Sequence, residues 1–366
     1  MLKRRAIFLT GITGTLGKEF VKELILTREE RLILLIRRKN RHSHWDRARK
    51  ILSAYGLERY LGTQVEVLDG DITLPDFGLQ AEDLDLLRRE ACEFYHIAAL
   101  TALNGSKEEC EKINLGGAQE ALRLAWDFRK NGVLERFFYF STAYVSGSRQ
   151  TYHAKEDFLP ERPAHANFYE SSKYQAETKV REAMAAGLPV TIFRPSIVVG
   201  NSKTGEVSEF NVIYPFVKLF AHGILSVLPT RPENSFNIVP IDFVIQASSL
   251  ISRQPGSIGK TFHLVTKEPP TIGMLMDLKQ EEYPETPAVE MIPPEDFKKE
   301  KLDPMTQTVF DMLEPYLGYL NDNLTFDASN TEKALQGTAL EFPKTDYEFL
   351  KTLMRYAVDA GYLLVK

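Results

Sequence analysis

The chain opens on a short apolar strand, Ala6 to Thr10, which runs into the turn Thr10-Gly11-Ile12-Thr13-Gly14-Thr15-Leu16-Gly17 and then into Leu16 to Leu26, where apolar residues recur at helical spacing. Five consecutive aliphatic residues follow at Leu32 to Ile36. This is a β-α-β unit, and it constrains everything after it. A strand that is apolar at every position is buried on both faces, which requires a parallel sheet covered by helices on each side. Similar runs at Val65 to Leu68, Phe94 to Ile97, Phe137 to Phe140 and Val190 to Phe193 extend the pattern. Between them lie longer stretches of helical periodicity such as Glu108 to Lys130, and Thr261 to Val265 reads as one more strand. The expected fold class is α/β, a doubly wound parallel sheet.

At 366 residues the chain has room for about two domains of ~150 residues. Residues 1–200 carry the regular alternation. After Gly200 the pattern becomes irregular, with Pro229, Pro232 and Pro240, and Glu268 to Asp303 reads as loop-like. Ile238 to Val244 looks like a return to the first lobe. The expected division is therefore 1–200 with a return at 237–265, and a smaller, interleaved C-terminal lobe in 201–366.

The 45 Lys and Arg against 50 Asp and Glu give a net charge of −5, so the surface as a whole is not built for nucleic acid or anionic lipid. Cys92 and Cys110, the only cysteines, fit neither a disulfide framework nor a zinc site, and both are expected to be small buried residues. His42 and His44 lack carboxylate partners, so no metal is expected. Met1 to Arg5 resembles the start of a signal peptide, but the apolar run after it ends at Leu9, which reads as a cytoplasmic start. Asn211 to Pro229 is the longest apolar stretch. It contains Lys218 and His222, so a buried or pocket-lining helix is expected and not a transmembrane segment.

Gly11, Gly14 and Gly17 stand where the first strand turns into the first helix, so the backbone can approach a pyrophosphate while the helix N-terminus offers it unpaired N–H groups. An acid at the end of the second strand would bind the ribose hydroxyls of NAD and repel a 2′-phosphate. Arg37 and Arg38 stand there instead, 20 and 21 residues past Gly17. Charge-assisted hydrogen bonds from guanidinium to phosphate then favour NADP(H). Asp71, after the third strand, can accept from the adenine amino group or simply make a turn. Ala98 and Ala99 after His96-Ile97 leave space for a dinucleotide, though close sheet packing explains them equally well.

Tyr169 and Lys173 are four residues apart on one helix face. An ammonium beside a phenol favours the phenolate and is expected to bring its pKa down from about 10. Ser141 or Thr142, at the end of the strand Phe137 to Phe140, can hydrogen-bond a carbonyl oxygen as charge grows on it. Asn114, a polar residue on an otherwise apolar helix face, either positions a water for Lys173 or is structural.

Taken together, Thr10 to Gly17, Asp71-Ile72, His96 to Ala99, Asn114, Ser141 to Gly147, Tyr169 to Lys173 and Phe193 to Gly200 resemble an extended short-chain dehydrogenase/reductase. The resemblance implies a Rossmann core, a C-terminal lobe that holds substrate, and a catalytic set of Thr142, Tyr169 and Lys173 with Asn114. Cofactor contacts are implied for Thr13 and Leu16 in the turn, for Ile72, for Tyr169 and Lys173 themselves, and for Pro195, Ser196 and Ile197. Ser141 to Val145 and Arg194 to Gly205 are similar to the thioester reductase and fatty acyl-CoA reductase branch, which implies NADPH-dependent reduction of an acyl thioester to aldehyde or alcohol. The aromatic-rich run Phe210 to Phe220 is then a candidate acyl tunnel, or else plain core. The implied partners are a small-molecule or carrier-bound acyl substrate, an acyl carrier protein supplied in trans, and a second copy of the chain in a homodimer. A ketone or aldehyde reductase, a nucleotide-sugar epimerase or dehydratase, and a non-catalytic NADP-sensing module are the competing readings.

Overall fold

A computed structural model describes residues 5–147, 152–161, 163–210, 213–321 and 324–363. Met1 to Arg4, and Asn211 and Val212 of the aromatic-rich run, lie outside the described residues. Seven strands form the main sheet: β1 (Ala6–Thr10), β2 (Arg31–Ile36), β3 (Val65–Asp69), β4 (Ala91–His96), β5 (Arg136–Phe140), β6 (Val190–Pro195) and β7 (Lys260–Leu264). All pair in parallel in the order β7-β6-β5-β4-β1-β2-β3. The order reverses between β1 and β4, and the strand ends at such a reversal open a crevice for ligand.

Alternation along each strand builds both faces at once. Ile7 and Leu9 of β1 pack on one side with Phe20, Leu24, Phe138 and Phe140, whereas Ala6 and Phe8 pack on the other with Phe94, Phe128, Phe137 and Tyr139. That is why the strands read as unbroken apolar runs. Helices cover both sides: α1 (Thr15–Thr27), α2 (His44–Ala54), α3 (Ala81–Glu90), α4 (Gly117–Asn131) and α5 (Phe168–Ala185) follow strands in turn. α4 is entered through Lys107–Cys110 and a π-helical segment, Glu111–Gly116.

Beyond β6 the chain forms α6 (Ile213–Ala221), α7 (Ile241–Ser252), α8 (Ile272–Glu282), α9 (Pro304–Leu317) and α10 (Tyr347–Asp359). α7 packs on α1, and the short strand Ile238–Pro240 before it pairs with Ile197–Val199. α6, α8, α9 and α10 share a separate apolar core containing Phe216, Phe220, Leu275, Phe310 and Leu353. The segment expected to be loop-like, 268–303, instead contains α8 and the strand Glu290–Ile292. Its prolines lie outside the helix, Thr271 caps the N-terminus by accepting from Met274 N, and Ile272, Leu275 and Met276 form one buried face. Cys92 and Cys110 are buried free thiols. Among the described residues no helix is long and apolar enough to cross a membrane, and no cluster of His, Cys, Asp or Glu is placed to hold a metal ion.

Candidate active site

The crevice at the β1/β4 reversal is a cleft of about 460 Å³. Its floor is the glycine turn. Gly11 has φ +79°, and a Cβ there would lie 2.3 Å from the Ala98 backbone nitrogen. Gly17 meets the turn as closely, since a Cβ would fall 2.3 Å from the Gly11 carbonyl oxygen. Gly14 differs: the nearest atom to its Cβ position is the same oxygen at 3.5 Å, so the protein leaves its cleft side open. Gly17→Ala is therefore expected to lose about 1–3 kcal/mol of stability through overpacking. Gly14→Ala should unfold like wild type yet bind dinucleotide more weakly. Thermal unfolding together with a fluorescence titration of NAD(P)H separates the two, and equal stability losses would contradict the geometry.

Two features fit a dinucleotide. α1 starts behind Gly14 with no side-chain cap and no acid in its first turn, so the unpaired N–H groups and positive end of the helix face the cleft. Ser196 Oγ, buried in the cleft wall, has no hydrogen-bond partner among the described residues, a cost that a bound polar group relieves. Thr13, Leu16, Ile72, Ala98, Ala99, Pro195 and Ile197 also line the cleft.

At the β2 exit the cations that line the cleft are not the expected pair. Arg37 lines the cleft and pairs with Asp71 (3.0 Å). Arg38 does not line it: its side chain is exposed and ion-pairs with Asp69, while its backbone N–H donates to the same carboxylate. Lys39 and Arg47 line it instead, Arg47 from α2 with Nη1 donating to the Arg37 carbonyl (2.5 Å). No motif announces Arg47, because only the packing of α2 over the end of β2 brings it there. Asp71 accepts from Thr73 N (3.0 Å) and from Arg37, one bond on each carboxylate oxygen, and also lines the cleft. Burial opposes its charge, but these hydrogen bonds hold its pKa below the usual carboxylate value.

At the other end stand Thr142, Tyr169 and Lys173. Tyr169, half-buried on α5, lines the cleft beside Thr142. Thr142 Oγ1 donates to the Pro195 carbonyl (3.4 Å) and accepts from Tyr144 N (3.3 Å). Ser141 and Thr142 differ in their surroundings. Ser141 Oγ donates to Glu177 (2.6 Å), which is also held by Arg194 (2.5 Å) and Arg181 (2.8 Å), so the Ser141 hydroxyl is engaged in a buried network that Thr142 does not join.

Lys173 behaves differently from the expectation. Its Nζ, 2 % exposed as a residue, donates to the Phe140 carbonyl (2.6 Å) and lies 4.4 Å from the centre of the Tyr139 ring. Burial lowers its pKa to about 7 against the pull of Glu177. The phenol is not brought down: burial pushes Tyr169 up to about 12, with the Thr142 hydrogen bond working the other way. The physical reason is direction, since the lysine is spent on the end of β5 and ties α5 to the Ser141-Thr142 turn. Asn114, in the π-helical segment, uses its amide on Leu100 N (2.7 Å), Leu100 O (3.0 Å) and Ser172 Oγ (2.9 Å). It fastens the loop after β4 to α5, and its side chain does not line the cleft. Tyr319, remote in sequence, closes the reacting end and had no motif to announce it.

A Rossmann sheet with a glycine turn at its reversal and a Thr–Tyr–Lys group at the other end of the same cleft defines an NAD(P)-binding oxidoreductase of the extended short-chain dehydrogenase/reductase type. Residues 9–248 match the family described as Male sterility protein, and the chain belongs to that family. It is 28% identical over 362 residues to the nonribosomal peptide synthetase asaC of Aspergillus flavus, covering 90% of this chain and 34% of that protein. It is 25% identical over 281 residues to the fatty acyl-CoA reductase wat of Drosophila melanogaster, covering 67% and 53%. The chain thus spans about a third and about half of these relatives. In structure it is similar to the terminal R domain from the myxalamid PKS-NRPS biosynthetic pathway, with TM-score 0.83, 28% identity, and coverage of 98% of this chain and 92% of that one.

Proposed function

We propose that the chain reduces an acyl thioester to an aldehyde with NADPH, with Tyr169 as proton donor. The observation that carries this reading is that Thr142, Tyr169 and Lys173 line the same cleft as the glycine turn. NADPH supplies the hydride that the carbonyl carbon receives. Thr142 stabilises the charge that grows on the carbonyl oxygen, and the phenol of Tyr169 passes its proton to that oxygen. The C–S bond of the resulting hemithioacetal then breaks, the thiol leaves with the hydroxyl proton, and an aldehyde remains. A second hydride and proton convert aldehyde to alcohol. Lys173 positions the phenol by holding α5 to Phe140.

Burial pushes the Tyr169 phenol up to about 12, so it carries a proton at neutral pH. The likeness to a nonribosomal peptide synthetase R domain and to a fatty acyl-CoA reductase supports a thioester, carried by coenzyme A or by a carrier protein in trans. The test is NADPH oxidation followed at the nicotinamide band against acyl-CoA, acyl-pantetheine, aldehyde and ketone substrates. Turnover of ketones alone discards the thioester, and a cofactor recycled without net oxidation favours the epimerase.

Arg37, Lys39 and Arg47 support NADPH over NADH, since three cations at the β2 exit suit a 2′-phosphate. Arg37→Ala is expected to raise KM for NADPH roughly 10-fold, the worth of one charge-assisted hydrogen bond, and to leave KM for NADH nearly unchanged. Equal losses for the two cofactors would remove the phosphate reading.

A further inference from the structure

Behind the reacting end of the cleft lies a second, smaller cavity of about 20 Å³. Phe216 and Phe220 of α6, Phe236, and Leu275 and Met276 of α8 form its walls, and no charged side chain lines it. Ile197 and Tyr319 border both spaces, so the cavity adjoins the cleft that Thr142 and Tyr169 line. Tyr319 is firmly held: Asn167 Nδ2 donates to its hydroxyl (3.1 Å), and its ring meets Tyr144 edge-on at 4.8 Å between centroids. Asn167 is also the N-cap of α5, the helix that carries Tyr169. The wall of the cavity and the phenol are therefore set by one helix end.

We propose that this cavity takes the aliphatic end of the acyl group, and that Phe216 and Phe220, which line it with Tyr319, make the enzyme select short acyl chains over long straight ones. The inference rests on the thioester reading above. An apolar space opening off the site of a polar reaction gains by excluding water from whatever alkyl group enters it, which favours the hydrocarbon end of the substrate over its carrier. Size sets the limit. Space of this measure holds about one or two water-sized groups, so a methyl or ethyl end fits as the walls stand. A longer chain has to displace Phe216 or Phe220, both buried in the core shared by α6, α8 and α9.

The experiment uses acyl-pantetheine thioesters from butyryl to dodecanoyl. kcat/KM comes from NADPH oxidation, and Kd comes from calorimetry with NADP present and no turnover. Wild type should prefer butyryl over dodecanoyl by roughly 10-fold or more, the discrimination a hydrophobic pocket achieves through methylene fit. Phe220→Ala and Phe216→Ala should reverse that ratio by a similar factor, and Phe216→Leu, which keeps more of the packing, should shift it part of the way. Wild-type thioester turnover with a ratio that none of the three variants moves overturns the cavity assignment and leaves the reductase reading standing. If no thioester is turned over, the reductase reading falls, and the Kd series decides the cavity alone: tighter short-chain binding that the variants invert supports it, and a flat series overturns it.

Discussion

Tyr169→Phe is expected to lower kcat for thioester reduction roughly 100- to 10,000-fold, the usual contribution of a positioned general acid, while NADPH affinity stays within about twofold. The phenyl ring retains the packing of the half-buried side chain on α5, so only the hydroxyl is lost. Single-turnover NADPH oxidation and a cofactor titration measure the two effects separately. Unchanged turnover would show that the proton comes from elsewhere, and the proposed role of Tyr169 would be withdrawn.

The second large effect is on stability. Glu177 and Arg194 are both fully buried, and the guanidinium is held by that carboxylate and by the carbonyls of Lys155, Glu156 and Phe158. Glu177→Ala leaves the arginine charge buried and unpaired, which typically costs about 3–5 kcal/mol, and it also frees Ser141 beside the active hydroxyl. Urea unfolding of wild type and variant at neutral pH measures it, and a loss below about 1 kcal/mol would mean that the network relaxes or admits water.

The same pair gives a pH dependence with a definite sign. Burial opposes the Glu177 charge, but Arg194, Arg181 and Ser141 hold its pKa down at about 2, against an ordinary value of 4.5. A carboxylate depressed in the folded state contributes stability that is present above the unfolded value and lost as pH falls through the folded one. Other buried groups act elsewhere. Burial raises Glu156 to about 7, so its folded form takes up a proton first and gains stability as pH falls from 7 to 4.5. His263, lowered to about 3 by burial and by Arg194, works the other way over a range that reaches higher than that of Glu177. The stability difference between wild type and Glu177→Gln should therefore hold steady down to about pH 4.5 and shrink below it. A difference independent of pH from 6 to 3.5 would assign the stabilisation to shape and not to charge.

How far the site was legible follows from which of its demands are local. The spacing of Tyr169 and Lys173 on one helix was readable, and so were Gly11, Gly14 and Gly17, because a sharp strand-to-helix turn against a neighbouring loop admits no side chain at Gly11 or Gly17. The partner of Lys173 was not readable. An ammonium on four methylenes goes to whichever acceptor the assembled sheet offers, and here that is the carbonyl of Phe140, 33 residues earlier. Arg38 and Arg47 exchanged places for the same reason: Asp69 on β3 captured the first, and α2 delivered the second. α8 was missed because a segment flanked by prolines and charges looks like loop until Leu275 and Met276 have an apolar partner to face.

What the amino-acid order determined by itself was the doubly wound sheet and the kind of chemistry at its reversal, since strand burial, helix periodicity and glycine-only backbone geometry are short-range constraints that residues impose on their neighbours. Only the tertiary structure decided that Ser141 is engaged by Glu177, that Asn114 ties a loop to α5, and that Tyr319 joins Tyr169 in one cleft across 150 residues of chain. Those outcomes depend on where long or polar side chains find their hydrogen bonds once distant elements have packed, and no sequence spacing encodes that competition.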